Sequence, residues 1–232
     1  MKQLLLLAYY FPPRMAAGSP RAAYIAKYLP KFGWDVTVVT ARFDAGRPPS
    51  GITVIETGYT DVVGRTKRFF GISEAASAHD VLRSTSPKIG SRMSLKQHLV
   101  ETAYKTLTFP DPEIGWFKHG VRAVVKLLDS QRCSALISTS FPYTAHLIAQ
   151  RALRSKRTFW LADLRDPWRG NPLNTGIFSG LHALLERKTL KRANAITTVS
   201  APLAHQIGGN NPGIPTFEIR NAFDPDDWAE IT

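Results

Sequence analysis

The stretch LLLLAYYFPPRMAAGSPRAAYIAKYLPKFGWDVTVVTAR, residues 4–42, decides the fold. Leu4 to Ala8 is an apolar run too short for a helix, and Pro12, Pro13 and Gly18 interrupt the next dozen residues, a pattern of strand then loop. Ser19 is placed to cap a helix whose first position is Pro20, and Ala22, Ile25, Ala26 and Leu29 recur at helical spacing until Phe32-Gly33 ends it. Trp34 to Thr40, with Val36, Val38 and Val39, gives a β-branched second strand, and Ile52 to Glu56 gives a third. A β-α-β opening with short connections implies right-handed crossovers and a parallel sheet.

The alternation resumes further along. A helix is expected at Phe117 to Leu128, a strand at Ala135 to Ser138, a helix at Thr144 to Leu153 and a strand at Thr158 to Ala162. Two more units run from Leu181 through Ala195 to Val199 and from Ala201 through Phe217 to Ile219. Strands alternating with helices in this way predict an α/β fold: a doubly wound, Rossmann-like parallel sheet with helices on both faces. Residues 61–109 break the rhythm and read as a helical insertion, with Arg65, Lys67, Arg68, Arg83, Lys88, Arg92, Lys96 and Lys105 interleaved with apolar residues. It serves either as a cover on the domain or as a basic, apolar-faced patch on an anionic membrane surface.

At 232 residues with 44% apolar, the chain can bury one substantial core. No apolar run approaches the roughly 20 residues of a spanning helix, and Tyr9 to Pro13 makes a poor signal-cleavage region. The lone Cys133 rules out an internal disulfide and offers no zinc pattern, so a cytoplasmic protein with no metal and no cofactor is expected. The net charge of +12 is uneven: residues 1–160 hold 23 Lys+Arg against 10 Asp+Glu, residues 161–232 hold 7 against 8. The first part would attract phosphorylated substrates, anionic lipid or nucleic acid. No nucleic-acid recognition motif accompanies the charge, so no nucleic-acid partner is expected.

In an open parallel sheet, ligands bind beyond the carboxyl ends of the strands. The first such loop, Tyr10 to Pro20, has Gly18 and Ser19 just before a helix, where backbone N–H groups suit a phosphate, with Arg14 and Arg21 flanking. A plain turn explains the same glycine. The loop lacks G-x-G-x-x-G, and Ala41-Arg42 stands where a dinucleotide-binding fold ends its second strand with an acid, which disfavours a dehydrogenase. A further loop carries Thr139, Ser140, Phe141, Pro142, Tyr143 and Thr144, whose hydroxyls either face a ligand or cap the next helix, where His146 lies. The densest signal is Asp163-Leu164-Arg165-Asp166-Pro167-Trp168-Arg169. Carboxylates there can orient sugar hydroxyls or act as a base, and Trp168 can supply an apolar face, while an ion pair pinning the loop is the alternative.

With those loops in order, the chain resembles the N-terminal domain of family 4 glycosyltransferases, the large retaining group with the GT-B fold. The match is carried by residues 9–42, PDPEIGW at 110–116, ISTSFPYTAHLIA at 137–149 and LADLRDPW at 161–168. AITTVSAPLAHQI at 195–207 and IRNAFDPDDW at 219–228 look like the family's closing strands and its crossing into a second domain. The resemblance implies a hexosyltransferase-like enzyme moving a sugar from a nucleotide-sugar donor to a lipid-linked or cell-surface glycan acceptor. It places Gly18 at the donor phosphate and Ser140, Tyr143, Asp163, Arg165 and Asp166 at the cleft; taken with the loop readings above, Ser19 joins Gly18 at the donor phosphate, Asp163 and Asp166 are expected as catalytic carboxylates, and Arg14, Arg21, Ser140, Tyr143, Arg165 and Trp168 on the acceptor. It further implies an acceptor-side domain over 1–220 and the start of a linker over 221–232. The second, donor-binding Rossmann domain is then missing, and the chain alone is expected to be inactive and peripheral at the inner face of the membrane. The alternative is a non-catalytic subunit that recruits acceptor for a separate donor-binding partner.

Overall fold

The computed structural model describes residues 1–42, 46–70, 102–130, 132–172, 174 and 177–228, and the chain divides into two units, Met1–Gly58 with Phe117–Thr232, and Tyr59–Trp116. The first unit contains seven parallel strands: β1 (Lys2–Leu7), β2 (Trp34–Ala41), β3 (Thr53–Thr57), β4 (Ala135–Ser140), β5 (Phe159–Leu164), β6 (Ala195–Thr198) and β7 (Thr216–Glu218). Their order is β3-β2-β1-β4-β5-β6-β7. The order reverses between β1 and β4, so the crevice that such a sheet offers a ligand opens at the carboxyl ends of those two strands.

The helices of this unit are α1 (Ser19–Tyr28), α3 (Phe117–Ser130), α4 (Thr144–Ala152), α5 (Ile177–Leu190) and α6 (Ala201–Asn210), while α2 (Val62–Phe70) belongs to the second unit. The doubly wound Rossmann-like fold is therefore as the sequence implies. Leu4, Leu6, Val36, Val38 and Ile137 meet Ala22 and Ala26 of α1 in one core, where small helical residues let the helix approach the sheet. Gly33 ends the 3-10 turn Leu29–Phe32 in the left-handed region at φ 81°, a conformation that glycine adopts without steric cost.

Three local readings change. Ser19 is the first residue of α1, with Gly18 as N-cap; its hydroxyl accepts from Ala16 N at 2.9 Å and donates to Arg14 O at 3.0 Å, so it closes the preceding loop. Thr144 lies inside α4, and the N-cap position is Tyr143. Strand β5 runs two residues past Ala162, because Asp163 and Leu164 pair in register with Thr139 and Ser140 of β4 and with Thr197 and Thr198 of β6.

The second unit, Tyr59–Trp116, holds α2 (Val62–Phe70), helical residues 102–107 and a 3-10 turn at Pro112–Trp116. Thr60 N donates to Gly115 O at 3.1 Å and Tyr59 OH to Pro112 O at 3.3 Å, which ties its two ends together. A side chain on Gly115 would strike the Thr60 carbonyl. Most of the expected basic insertion, residues 71–101, lies outside the described residues.

After β7 the chain is bolted to α1. Lys27 donates to Asp224 and Asp226 at 2.6 Å each, and Tyr28 OH donates to Asp224 at 2.7 Å. These donors hold the Asp224 carboxyl down at about 2, below its ordinary 3.8. A depressed carboxylate contributes stability above its unfolded pKa and loses it as pH falls to its folded one. The stability difference between wild type and Asp224→Asn in urea unfolding is expected to be constant above about pH 4 and to close between pH 4 and 2; a difference unchanged through that window would remove the bolt.

Candidate functional site

Asp163 is buried, and both of its oxygens are shared. Arg21 of α1 grips it with Nη2 at 2.8 Å on Oδ1 and Nε at 3.0 Å on Oδ2, while Thr197 donates to Oδ1 at 2.9 Å and Thr139 to Oδ2 at 2.7 Å. Four donors fill the acceptor positions of one carboxylate. Asp163 is thus an anchor that joins β4, β5, β6 and α1. Arg21 extends the join: its Nη1 donates to Arg220 O at 3.2 Å and Asn221 Oδ1 at 3.3 Å.

Arg165 lies at the crevice between β1 and β4. Its Nε donates to Ser140 O at 2.6 Å and its Nη2 to Phe141 O at 3.2 Å. Its guanidinium rests against Gly18, where an added Cβ would overlap it. Burial lowers its pKa, Asp163 and Asp166 raise it and Arg21 lowers it, so the four charges share one neighbourhood. Asp166 is exposed, as is Arg14, which stands over the Tyr10 ring. The structure therefore brings Gly18, Arg21, Ser140, Asp163 and Arg165 together, with Asp166 beside them.

Tyr143 and Trp168 sit elsewhere than a ligand-facing role requires. They stack on each other with ring centroids 4.6 Å apart and planes 2° apart, and both are buried. Tyr143 OH donates to Pro167 O at 3.1 Å and accepts from Asn171 at 2.8 Å, and Trp168 Nε1 donates to His182 Nδ1 at 3.0 Å. Buried Glu186 accepts from Arg169 N at 2.5 Å and from Asn211 Nδ2 at 2.8 Å, and burial raises its pKa. This aromatic and polar underlay fixes the loop that presents Arg165 and Asp166. The Ser140 side chain is likewise buried, and its carbonyl accepts from Arg165 Nε.

Beside the crevice, a cavity of about 550 Å³ lies between α1 and the sheet, lined by Tyr24, Ile25, Leu29, Ile137, Leu161 and Ile219 together with the Arg21–Asp163 pair. Its size falls in the range of small-ligand pockets. Nothing in the sequence pointed to it, because its floor comes from strands that are neighbours only once the sheet order is known.

The sequence of residues 17–215 matches the family model of the glycosyl transferase 4-like domain. The chain belongs to that family. Among solved structures, a sucrose-phosphate synthase from Thermosynechococcus elongatus superposes with a TM-score of 0.54 at 10% identity, over 99% of this chain and 93% of that one. At that identity the likeness is one of fold. No curated protein sequence matches. This glycosyltransferase domain has the Rossmann-like architecture that the resemblance implied.

In this glycosyltransferase domain His146, on α4, is fully buried on the sheet face away from α1. Trp160 Nε1 donates to Ser138 Oγ at 2.8 Å, and Ser138 and His146 Nδ1 lie 2.7 Å apart. Ser138 can then donate its own hydrogen to Nδ1, leaving the ring proton on Nε2, which has no partner among the described residues. Burial pushes the ring down to about 3, against an upward pull from Asp163. The folded state thus refuses a proton that the unfolded chain takes below about pH 6.5, so this residue subtracts stability as pH falls from there toward 3. The His146 ring resonances are expected to stay unmoved from pH 8 to about pH 4.5 in an NMR titration; a midpoint near 6.5 would show an open or hydrated ring.

Proposed function

We propose that this chain is the acceptor-side half of a retaining glycosyltransferase, which takes a sugar from a nucleotide-sugar and places it on a lipid-linked or cell-surface glycan acceptor. The observation that carries the reading is the cluster at the switch point of the sheet, where Arg165 bridges the β1 loop at Gly18 and the β4 loop at Ser140 and Phe141. Asp166, exposed and without a hydrogen bond or ion pair among the described residues, is the carboxylate that can orient or deprotonate an acceptor hydroxyl. Asp163 positions Arg21. Arg14 at the rim offers a second guanidinium to anionic acceptors. Residues 1–220 form the acceptor-side domain, residues from 221 begin the linker, and most donor contacts belong to a second Rossmann domain.

The division of labour predicts weak nucleotide binding by the chain alone alongside recognition of acceptor. On a glycan and glycolipid array it is expected to bind a discrete set of structures, and Asp166→Asn or Arg14→Gln to weaken that binding about tenfold, as loss of one charged hydrogen bond would. Calorimetry with UDP, GDP and their sugars should show affinities weaker than micromolar. Submicromolar nucleotide affinity without any glycan binding would contradict the reading.

Helix α2 supports a membrane contact. Phe69 is 82% exposed, and Arg65 and Arg68 face solvent. Lys67 is buried, so the basic run offers less accessible charge than its sequence implies. No helix among the described residues is long and apolar enough to cross a bilayer. Each basic residue near an anionic surface contributes about 1 kcal/mol before screening, so attachment should be reversible and fall with salt. Co-sedimentation with anionic vesicles is expected to drop in Arg65→Gln/Arg68→Gln and at high salt, whereas equal binding to neutral vesicles would remove the membrane from the account.

A further inference from the structure

Gly18 stands where the sequence suggests close approach of a phosphate to backbone, but the space beside it is already filled. A Cβ built on Gly18 falls among the Cζ, Nη1 and Nη2 atoms of Arg165. The first two positions of α1 offer a phosphate no free backbone N–H. Ser19 N–H donates to Ala16 O at 2.9 Å, and Pro20 has no N–H.

Arg165 is fastened from the other side by the carbonyls of Ser140 and Phe141, through Nε and one N–H of Nη2. Of the five N–H groups of a guanidinium, three therefore have no acceptor among the described residues. A planar fork held rigidly, with donors unspent, matches two oxygens of a phosphate group, and little side-chain freedom is left to lose on binding. The charges around it permit an anion. Asp163 is matched by Arg21, and Asp166 is the remaining carboxylate in range.

We infer that Arg165 is the phosphate-binding residue of this half, and that Gly18 is glycine because its Cα is the seat of the Arg165 guanidinium. The inference rests on the glycosyltransferase reading for its ligand: a diphosphate, borne either by a nucleotide donor or by a lipid-linked acceptor. Residues 18 and 165 then form one functional unit, and damage to either is damage to the same contact.

The test uses the chain as it stands, with UDP and geranyl diphosphate as probes at millimolar concentration and NMR as the readout. Arg165→Gln is expected to weaken diphosphate binding about tenfold or more, and Arg165→Lys, which keeps the charge without the fork, to recover only part. Gly18→Ala should weaken it comparably by unseating the guanidinium, and the double variant Gly18→Ala/Arg165→Gln should be no worse than Arg165→Gln alone. Loss confined to UDP assigns the phosphate to the donor, loss confined to geranyl diphosphate assigns it to the acceptor, and loss of both assigns the diphosphate itself. Wild type that binds neither probe, Arg165→Gln that binds as wild type does, or single effects that add in full would overturn the inference. Melting temperatures show whether each variant is folded. Failure of the glycosyltransferase reading would look different: no glycan recognised on the array, with Arg165-dependent diphosphate binding intact.

Discussion

Four hydrogen bonds to one buried carboxylate organise this domain. Asp163 points from the middle of the sheet toward α1, and without Arg21 it would be an uncompensated charge in the interior, one of the costliest things a fold can contain. Thr139 and Thr197, its neighbours on β4 and β6, complete its shell from the same face of the sheet. The cost of burying the charge is met only in the arrangement that brings α1 to this one place on β5. The carboxylate therefore specifies the position of α1, and with it Gly18 at the head of that helix and the crevice beyond.

The same helix fixes the path of the chain after β7. Arg21 reaches Arg220 and Asn221 while it holds Asp163, and Lys27 and Tyr28 hold Asp224. The direction in which the chain leaves the sheet is thus set by the element that shapes the crevice. Beneath the crevice the opposite sheet face is built on different chemistry: a Trp160–Ser138–His146 chain and the Tyr143–Trp168 stack, both closed to solvent. The candidate site is a thin layer of charge over a buried aromatic floor.

The strands and helices were legible because their residues carry local signals: a leucine run at β1, valines in β2, and glycine or proline at the breaks. The site was legible as to place and less so as to roles. Asp163 looks like a loop carboxylate because the arginines beside it in sequence hide its actual partner, Arg21, which is 142 residues away. Tyr143 and Trp168 look like sugar-stacking aromatics, yet an aromatic at a strand end has the same sequence signature whether it faces ligand or core. Gly18 signals space for something. Only the fold reveals that the something is Arg165.

The claim that Asp163 is the anchor of the fold, with no part in proton transfer, is tested most directly by urea unfolding of Asp163→Asn, Arg21→Met and the double variant Arg21→Met/Asp163→Leu. Removing one partner of a buried pair costs about 3–5 kcal/mol, whereas replacing both by apolar residues costs far less than the sum. The account predicts those large single losses and that recovery. Asp163→Asn with wild-type stability, or losses that simply add, would contradict it and return Asp163 to the reaction.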